Sequence, residues 1–131
     1  MQRKVYSVLY WIAAVIIGLG AFGHGLGGAK QLHAALATVA LNAGTRDVIW
    51  IVWYFVSGCM LFLGGLSIWA WYAMRQGRNV AVVPTSIGVL YFVFGVSALA
   101  YGRTPFWILF IVLGVMLLLA TRGLRGQTSA T

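Results

Sequence analysis

The stretch VIWIVWYFVSGCMLFLGGLSIWAWYAM, from Val48 to Met74, contains no Asp, Glu, Lys or Arg. It is continuously apolar rather than alternating, and it exceeds the roughly 20 residues that a helix needs to cross a bilayer. Three further runs without those charged residues accompany it: Val5 to Leu26, Val80 to Tyr101 and Pro105 to Thr121. The last is the shortest and crosses with little tilt. A membrane barrel is excluded because these runs lack the polar positions that would face its lumen. The expected fold is therefore an all-α bundle of four transmembrane helices in one membrane domain over residues 1–131, with helices near 5–26, 48–74, 80–101 and 105–121.

Composition agrees. The chain has 131 residues, 62% hydrophobic and 8% charged, with a mean hydropathy of +0.94. That leaves too little polar surface to cover a water-soluble globule, so lipid must solvate it. The opening stretch, Arg3 and Lys4 before an apolar run and then Ala21-Phe22-Gly23, has the outline of a secretory signal. The chain carries Met1 onward, so this segment is expected to be retained as the first membrane helix.

Asp47 is the only acidic residue, and it lies outside all four runs. Most proton-coupled transport and acid/base chemistry needs a carboxylate held away from water, and none is available within the spans. Asp47 sits beside Arg46 at the start of helix two, where an acid suits a helix N-terminus and serves as an anchor. The net charge of +8 is dispersed in ones and twos at the ends of apolar runs. That pattern signals topology, not nucleic acid. With four spans, Arg3, Lys4, Arg75, Arg78, Arg122 and Arg125 share one side, against Lys30, Arg46 and Arg103 on the other. Counting positive charges places both termini in the cytoplasm, giving a multi-pass inner-membrane protein, N-in and C-in.

Turn chemistry marks the helix boundaries. Gly25-Leu26-Gly27-Gly28 is expected to end helix one. Arg75-Gln76-Gly77-Arg78-Asn79 makes a polar turn, and Gly102-Arg103-Thr104-Pro105 a tighter one, with Thr104 as N-cap and Pro105 at the first helical position. Pro84 falls in the first turn of helix three. Trp50, Trp53, Trp69, Trp71, Tyr72, Tyr101 and Trp107 cluster toward span ends as interfacial anchors. Between Ala29 and Asp47, Leu32, Leu36, Val39 and Ala43 recur at helical spacing. The favoured reading is an interfacial amphipathic helix over 29–43, lying on the bilayer or over the bundle mouth. The alternative is an extension of a membrane helix. A short polar tail follows Leu124.

Small residues indicate the packing faces. Gly20, His24 and Gly28 fall at i, i+4 and i+8 on helix one. Ser57 and Gly64, and Gly58 and Gly65, repeat at seven residues on helix two, and Gly88 and Gly95 flank Tyr91 on helix three. Helix four offers Gly114 among long aliphatics and is expected to be the most lipid-exposed span, or an oligomer contact. Cys59 is single and mid-span, a small packing residue without a disulfide partner.

His24 is the one readily titratable group in a span. Counted from Gly28 at 1.5 Å per residue it lies about 6 Å below the helix end, close in depth to Tyr54 and Ser57 of helix two. His24, Tyr54 and Ser57 therefore form a candidate polar cluster. It is read first as a structural clamp and second as a ligand or proton site, since intramembrane ionisable groups are functional by default. No spacing within the chain supplies two metal ligands, so haem would need one His24 from each of two subunits. The serines have no acid to orient a histidine, and none occupies a Gly-x-Ser-x-Gly elbow.

The four-span plan resembles small multidrug-resistance transporters. Those carry an essential glutamate in helix one, which Tyr10 to Leu26 lacks. It also resembles fluoride channels of similar length, yet their Thr-Thr-Phe-Ser type break has no counterpart between Val80 and Tyr101. With Gly23-His24 late in helix one and a Trp-rich start to helix two, Trp50 to Ser57, the chain resembles a broad group of small bacterial four-helix integral membrane proteins. That group brings no established activity. Relatives place a second histidine after the helix-two tryptophan; here Tyr54 follows Trp53, which weakens a bis-histidine site. The expected function is non-enzymatic: binding or assembly through self-association as a homo-oligomer, a membrane-protein partner, or a hydrophobic ligand near His24. The alternatives are a small-solute transporter or channel without a carboxylate, and a cofactor-binding isomerase or redox subunit.

Overall fold

Glycine does not end the first helix. In the computed structural model, which describes the backbone of residues 2–126 and the side chains of residues 3–125, α1 (Gln2–Phe22) passes through a π-helical segment (Gly23–Gly28) into α2 (Ala29–Ala37). Phe22, Gly28 and Ala29 keep right-handed helical dihedrals throughout. The separate interfacial helix expected over 29–43 is replaced by a continuation of helix one, which stops near Thr38.

α3 (Ala43–Arg75) begins earlier than its apolar run because Asn42 caps it, the Asn42 side chain accepting from the Thr45 N–H at 2.7 Å. Asp47 consequently lies in the second turn, deeper than the N-terminal position expected of it. At the other end Gly77, with φ +80°, closes α3. The Arg78 N–H bonds to the Ala73 carbonyl at 3.0 Å and the Gly77 N–H to that of Met74 at 3.1 Å. This double bond pattern is the Schellman arrangement, and it needs a left-handed residue that glycine supplies without strain. α4 (Val82–Gly102) follows with Pro84 in its first turn. Arg103 takes left-handed backbone, Pro105 opens a short 3-10 turn (Pro105–Trp107), and α5 (Ile108–Gly126) completes the chain. The Thr104 hydroxyl turns back to the Gly102 carbonyl at 3.1 Å instead of capping forward. From residue 127 the polar tail lies outside the described residues.

The four spans differ in length. Arg3–Ala37 and Ala43–Arg75 have 35 and 33 residues, against 21 for each of Val82–Gly102 and Pro105–Arg125. At 1.5 Å per residue the first pair is about 50 Å long and the second about 30 Å, the thickness of a hydrocarbon core. Arg3 of α1, Arg75 of α3, Thr85 of α4 and Arg122 of α5 line one cavity, so all four helices are level at that end. The surplus of the first pair projects at the other, carrying exposed Lys30, Gln31, Arg46 and Asp47.

The molecule is all-α, a four-helix bundle with every span apolar enough to lie in lipid. Its packing order is α3, α1, α5, α4, with α1 and α5 central. Tyr10, Ala13, Ala14 and Ile17 of α1 meet Leu113, Leu117 and Ala120 of α5 in the core. Trp71 joins them, so it is a core residue, not the interfacial anchor expected. The Tyr10 hydroxyl donates to the Ser67 carbonyl at 2.8 Å, tying α1 to α3. Just beyond, a Cβ on Gly64 would come within 2.5 Å of the Gly18 Cα, so the two backbones approach closely there. α4 and α5 meet similarly, a Cβ on Gly114 falling 2.6 Å from the Gly88 carbonyl oxygen.

Helix four is not the most exposed span. Only 6% of the most apolar stretch of α3 is buried, against 28% for each of the other spans. The cause is topological: α5 is sandwiched between α1 and α4, whereas α3 sits at the edge and meets α4 only weakly. Leu63 and Leu66 of α3 face Val83, Ile87 and Leu90 of α4 across an apolar groove of about 340 Å³.

Candidate functional site

The π-helical turns of Gly23–Gly28 present His24 to α3. A π-helix has a wider cross-section than an α-helix and recurs at functional positions. Here glycine permits it to sit against a large side chain. A Cβ on Gly28 would fall 2.7 Å from Trp53 Cζ2, and one on Gly25 would fall 3.2 Å from Ser57 Oγ. These glycines serve close approach, which is why they do not terminate the helix.

Three contacts from one face of α3 then fix His24. Its imidazole stacks on the Trp53 indole, with centroids 3.9 Å apart and planes 18° from parallel. Its carbonyl accepts from Trp53 Nε1 at 3.0 Å, and its Nδ1 lies 2.8 Å from Ser57 Oγ. Ser57 Oγ also donates to the Trp53 carbonyl at 3.1 Å, one helical turn back. A hydroxyl has one proton, so with that proton directed to Trp53 the Ser57 oxygen is left as acceptor. Nδ1 of a neutral His24 is accordingly the protonated nitrogen, an assignment that follows from the bonding network. Nε2 keeps its lone pair, and among the described residues no group bonds to it.

Of the three residues of the candidate cluster, the structure brings His24 and Ser57 together and leaves out Tyr54. Trp53 and Ser57, four residues apart, share a helix face. Tyr54 is turned aside, 55% exposed and stacked on Trp50 at 5.8 Å. Trp53 takes its place as the third member. The i, i+4 spacing of Trp53 and Ser57 was the available signal, obscured by reading Trp53 as an interfacial anchor.

The glycines named from spacing divide. Gly20 faces Met60 Cε at 2.7 Å from its would-be Cβ, Gly88 faces Leu118, and Gly95 faces Ile111. At Gly58 and Gly65 a Cβ would meet nothing within 4 Å among the described residues, whereas Gly64, of the Ser57–Gly64 pair, makes the α1–α3 approach with Gly18. The reason is a register shift of one residue, which rotates a helical position by about 100°. Gly64 points at α1 and Gly65 points outward.

On α4, Tyr91 is 4% exposed and stacks on Phe110 at 5.7 Å, with its hydroxyl unpartnered among the described residues. Among the same residues no three His, Cys, Asp or Glu side chains gather into a metal-binding group. No family model matches the chain, and neither curated proteins nor solved structures give a significant match.

Proposed function

We propose that this is a non-enzymatic membrane protein that acts by binding, with His24 Nε2 as the group that meets the partner. The partner is an apolar ligand or a membrane protein that offers a hydrogen-bond donor. The observation that carries this reading is an imidazole fixed on one edge by Ser57 and on one face by Trp53, while the opposite nitrogen has no partner among the described residues. Such second-partner bonding orients a histidine whose other nitrogen is used for recognition. Counted from Lys4, His24 lies about 30 Å along the rod, level with the far edge of the hydrocarbon core. A partner reaches it there without crossing the bilayer. Packing of Tyr10, Ala13, Ala14, Ile17 and Leu117, each fully buried, fills the interior and favours binding over conduction. The six-to-three distribution of basic residues supports a cytoplasmic location for both termini.

The test is to purify wild-type and His24→Phe chains from native membrane and identify co-isolated species by native mass spectrometry. Phenylalanine keeps a ring against Trp53 and removes both nitrogens. A species retained by wild type and lost from the variant is expected; identical profiles would refute the reading. The lone pair of Nε2 is also what an axial haem ligand uses, and a featureless visible spectrum of the same material removes that version.

Self-association is a second reading with an observation of its own. Along the outer face of α3, Phe55, Gly58, Phe62, Gly65 and Trp69 alternate bulk and space at heptad intervals. Phe55 and Phe62 are 70% and 68% exposed, and both glycines are open. Lipid requires no such alternation, whereas ring-into-glycine packing between copies does. Crosslinking between chains carrying a single cysteine at Phe62, in a Cys59→Ala background, would register it.

A further inference from the structure

A second site lies at the opposite end of the bundle from His24. A cavity of about 1550 Å³ opens where α1 begins and α5 ends. Six cationic residues line it: Arg3 and Lys4 from α1, Arg75 and Arg78 from the end of α3 and its turn, Arg122 and Arg125 from α5. The only acidic side chain of the chain, Asp47, sits 28 residues up α3 from Arg75, about 42 Å away at the helical rise. That is several Debye lengths at physiological salt, so Asp47 does not offset Arg3, Lys4, Arg75, Arg78 and Arg122 there, while Arg125 has an interaction of its own.

Topology alone accounts for basic residues on one side of a membrane. Bundling then brings those ends onto one volume, but neither accounts for the arrangement of two of them. Arg75 lies over the Trp71 ring at 4.8 Å and Arg78 over the Trp69 ring at 5.4 Å. Cation–π stacking occupies the guanidinium face and leaves its N–H edge free for a planar or tetrahedral oxyanion. The Schellman turn at Gly77 fixes Arg78 relative to Arg75. Between the charges the wall is apolar, formed by Val8, Met74, Leu118 and Leu119. Val8 and Leu119 are also 57% and 55% exposed, so this wall continues onto the outward, lipid-contacting surface.

We propose that this cavity binds a phosphate-bearing anion, the cationic rim holding the phosphate and the apolar wall receiving the acyl chains when it comes from an anionic phospholipid. Basic pockets between membrane helices are suited to such headgroups. The site is independent of His24 and holds whether or not the binding reading above does.

The full chain, delipidated in detergent, is titrated with phosphatidylglycerol, phosphatidylcholine or inorganic phosphate and read by native mass spectrometry. Phosphatidylglycerol is expected to be retained over phosphatidylcholine. Arg75→Gln with Arg122→Gln should reduce that retention about tenfold or more, from the loss of two near-surface cations. Lys30→Gln with Arg46→Gln, the same charge change at the other end, should leave it intact. If inorganic phosphate displaces the lipid, the site accepts the free anion as well; if it does not, the source is the lipid. Because the double variant can misfold, the unmodified chain is also titrated with salt, where the preference should decline as ionic strength rises. An equal loss in both double variants, no preference for phosphatidylglycerol, or a preference indifferent to salt overturns the proposal.

Discussion

Trp53 holds His24 twice: its indole N–H donates to the His24 carbonyl at 3.0 Å, and its ring stacks on the imidazole at 3.9 Å. One side chain thus satisfies a backbone acceptor of the π-helical segment and orients the side chain of the same residue. In lipid a backbone group without a partner costs several kcal/mol, so the polar and stacking roles of Trp53 reinforce each other.

Ser57→Ala removes the acceptor for His24 Nδ1–H while leaving the stack in place. The expected cost is about 1 kcal/mol of stability, typical of interhelical hydrogen bonds in membranes. Nitrogen-15 NMR of the labelled imidazole reports the tautomer directly. Wild type should show Nδ1–H in the neutral ring, and the variant a mixture of both forms.

Gly28→Ala places a methyl group 2.7 Å from Trp53 Cζ2, whereas Gly27 has nothing within 4 Å of its would-be Cβ. Thermal unfolding in detergent should show Gly28→Ala destabilised by about 1–3 kcal/mol through overpacking. Gly27→Ala should be neutral or stabilising by up to about 1 kcal/mol through helix propensity. If the two behave alike, the glycines act through backbone freedom and not through the approach of Trp53.

Gly64→Ala and Gly65→Ala differ by one position and should differ in kind. At Gly64 the new methyl meets the Gly18 backbone, which cannot swing aside as a side chain does, so α1 and α3 must separate. A loss of about 2 kcal/mol or more is expected, with the Tyr10–Ser67 bond weakened alongside. Gly65→Ala should leave monomer stability unchanged and lower inter-chain crosslinking at α3 if copies pack there.

Two buried tyrosines make a matched pair. Tyr10, fully buried, donates to the Ser67 carbonyl, and Tyr91, 4% exposed, has a hydroxyl without a partner among the described residues. Tyr10→Phe should cost about 0.5–1.5 kcal/mol, because it removes a satisfied hydrogen bond and leaves the ring volume nearly unchanged. Tyr91→Phe should be neutral or stabilising, since it deletes a desolvated hydroxyl. Equal losses in chemical denaturation would show that a water or ligand serves Tyr91.

Much of the fold was legible from the apolar runs, because a chain in lipid has few ways to satisfy its backbone and helices are the economical one. Pro84 in the first turn, Pro105 at the start of the last span and Gly77 in the middle turn were legible for the same local reason: each restricts or frees its own dihedrals. The glycines after Phe22 were misleading because glycine has two uses, to end a helix or to admit a neighbour. Choosing between them requires knowing that Trp53 and Ser57 lie opposite.

By itself, then, the sequence determined the number of spans, their apolar character, the side on which basic residues collect, and the depth at which His24 lies level with Tyr54 and Ser57 of the second span. These depend on composition and on distances along a chain of known rise. Only the tertiary structure decided that the first helix continues to Ala37, that Trp53 and not Tyr54 joins His24, that α3 lies at the edge with Gly58 and Gly65 open, and that six cations surround one cavity. Those outcomes depend on the rotation of each helix about its axis and on the order in which the helices pack. Both are set by contacts between residues far apart in the chain, such as Gly18 against Gly64, and neither is written in any single stretch of it.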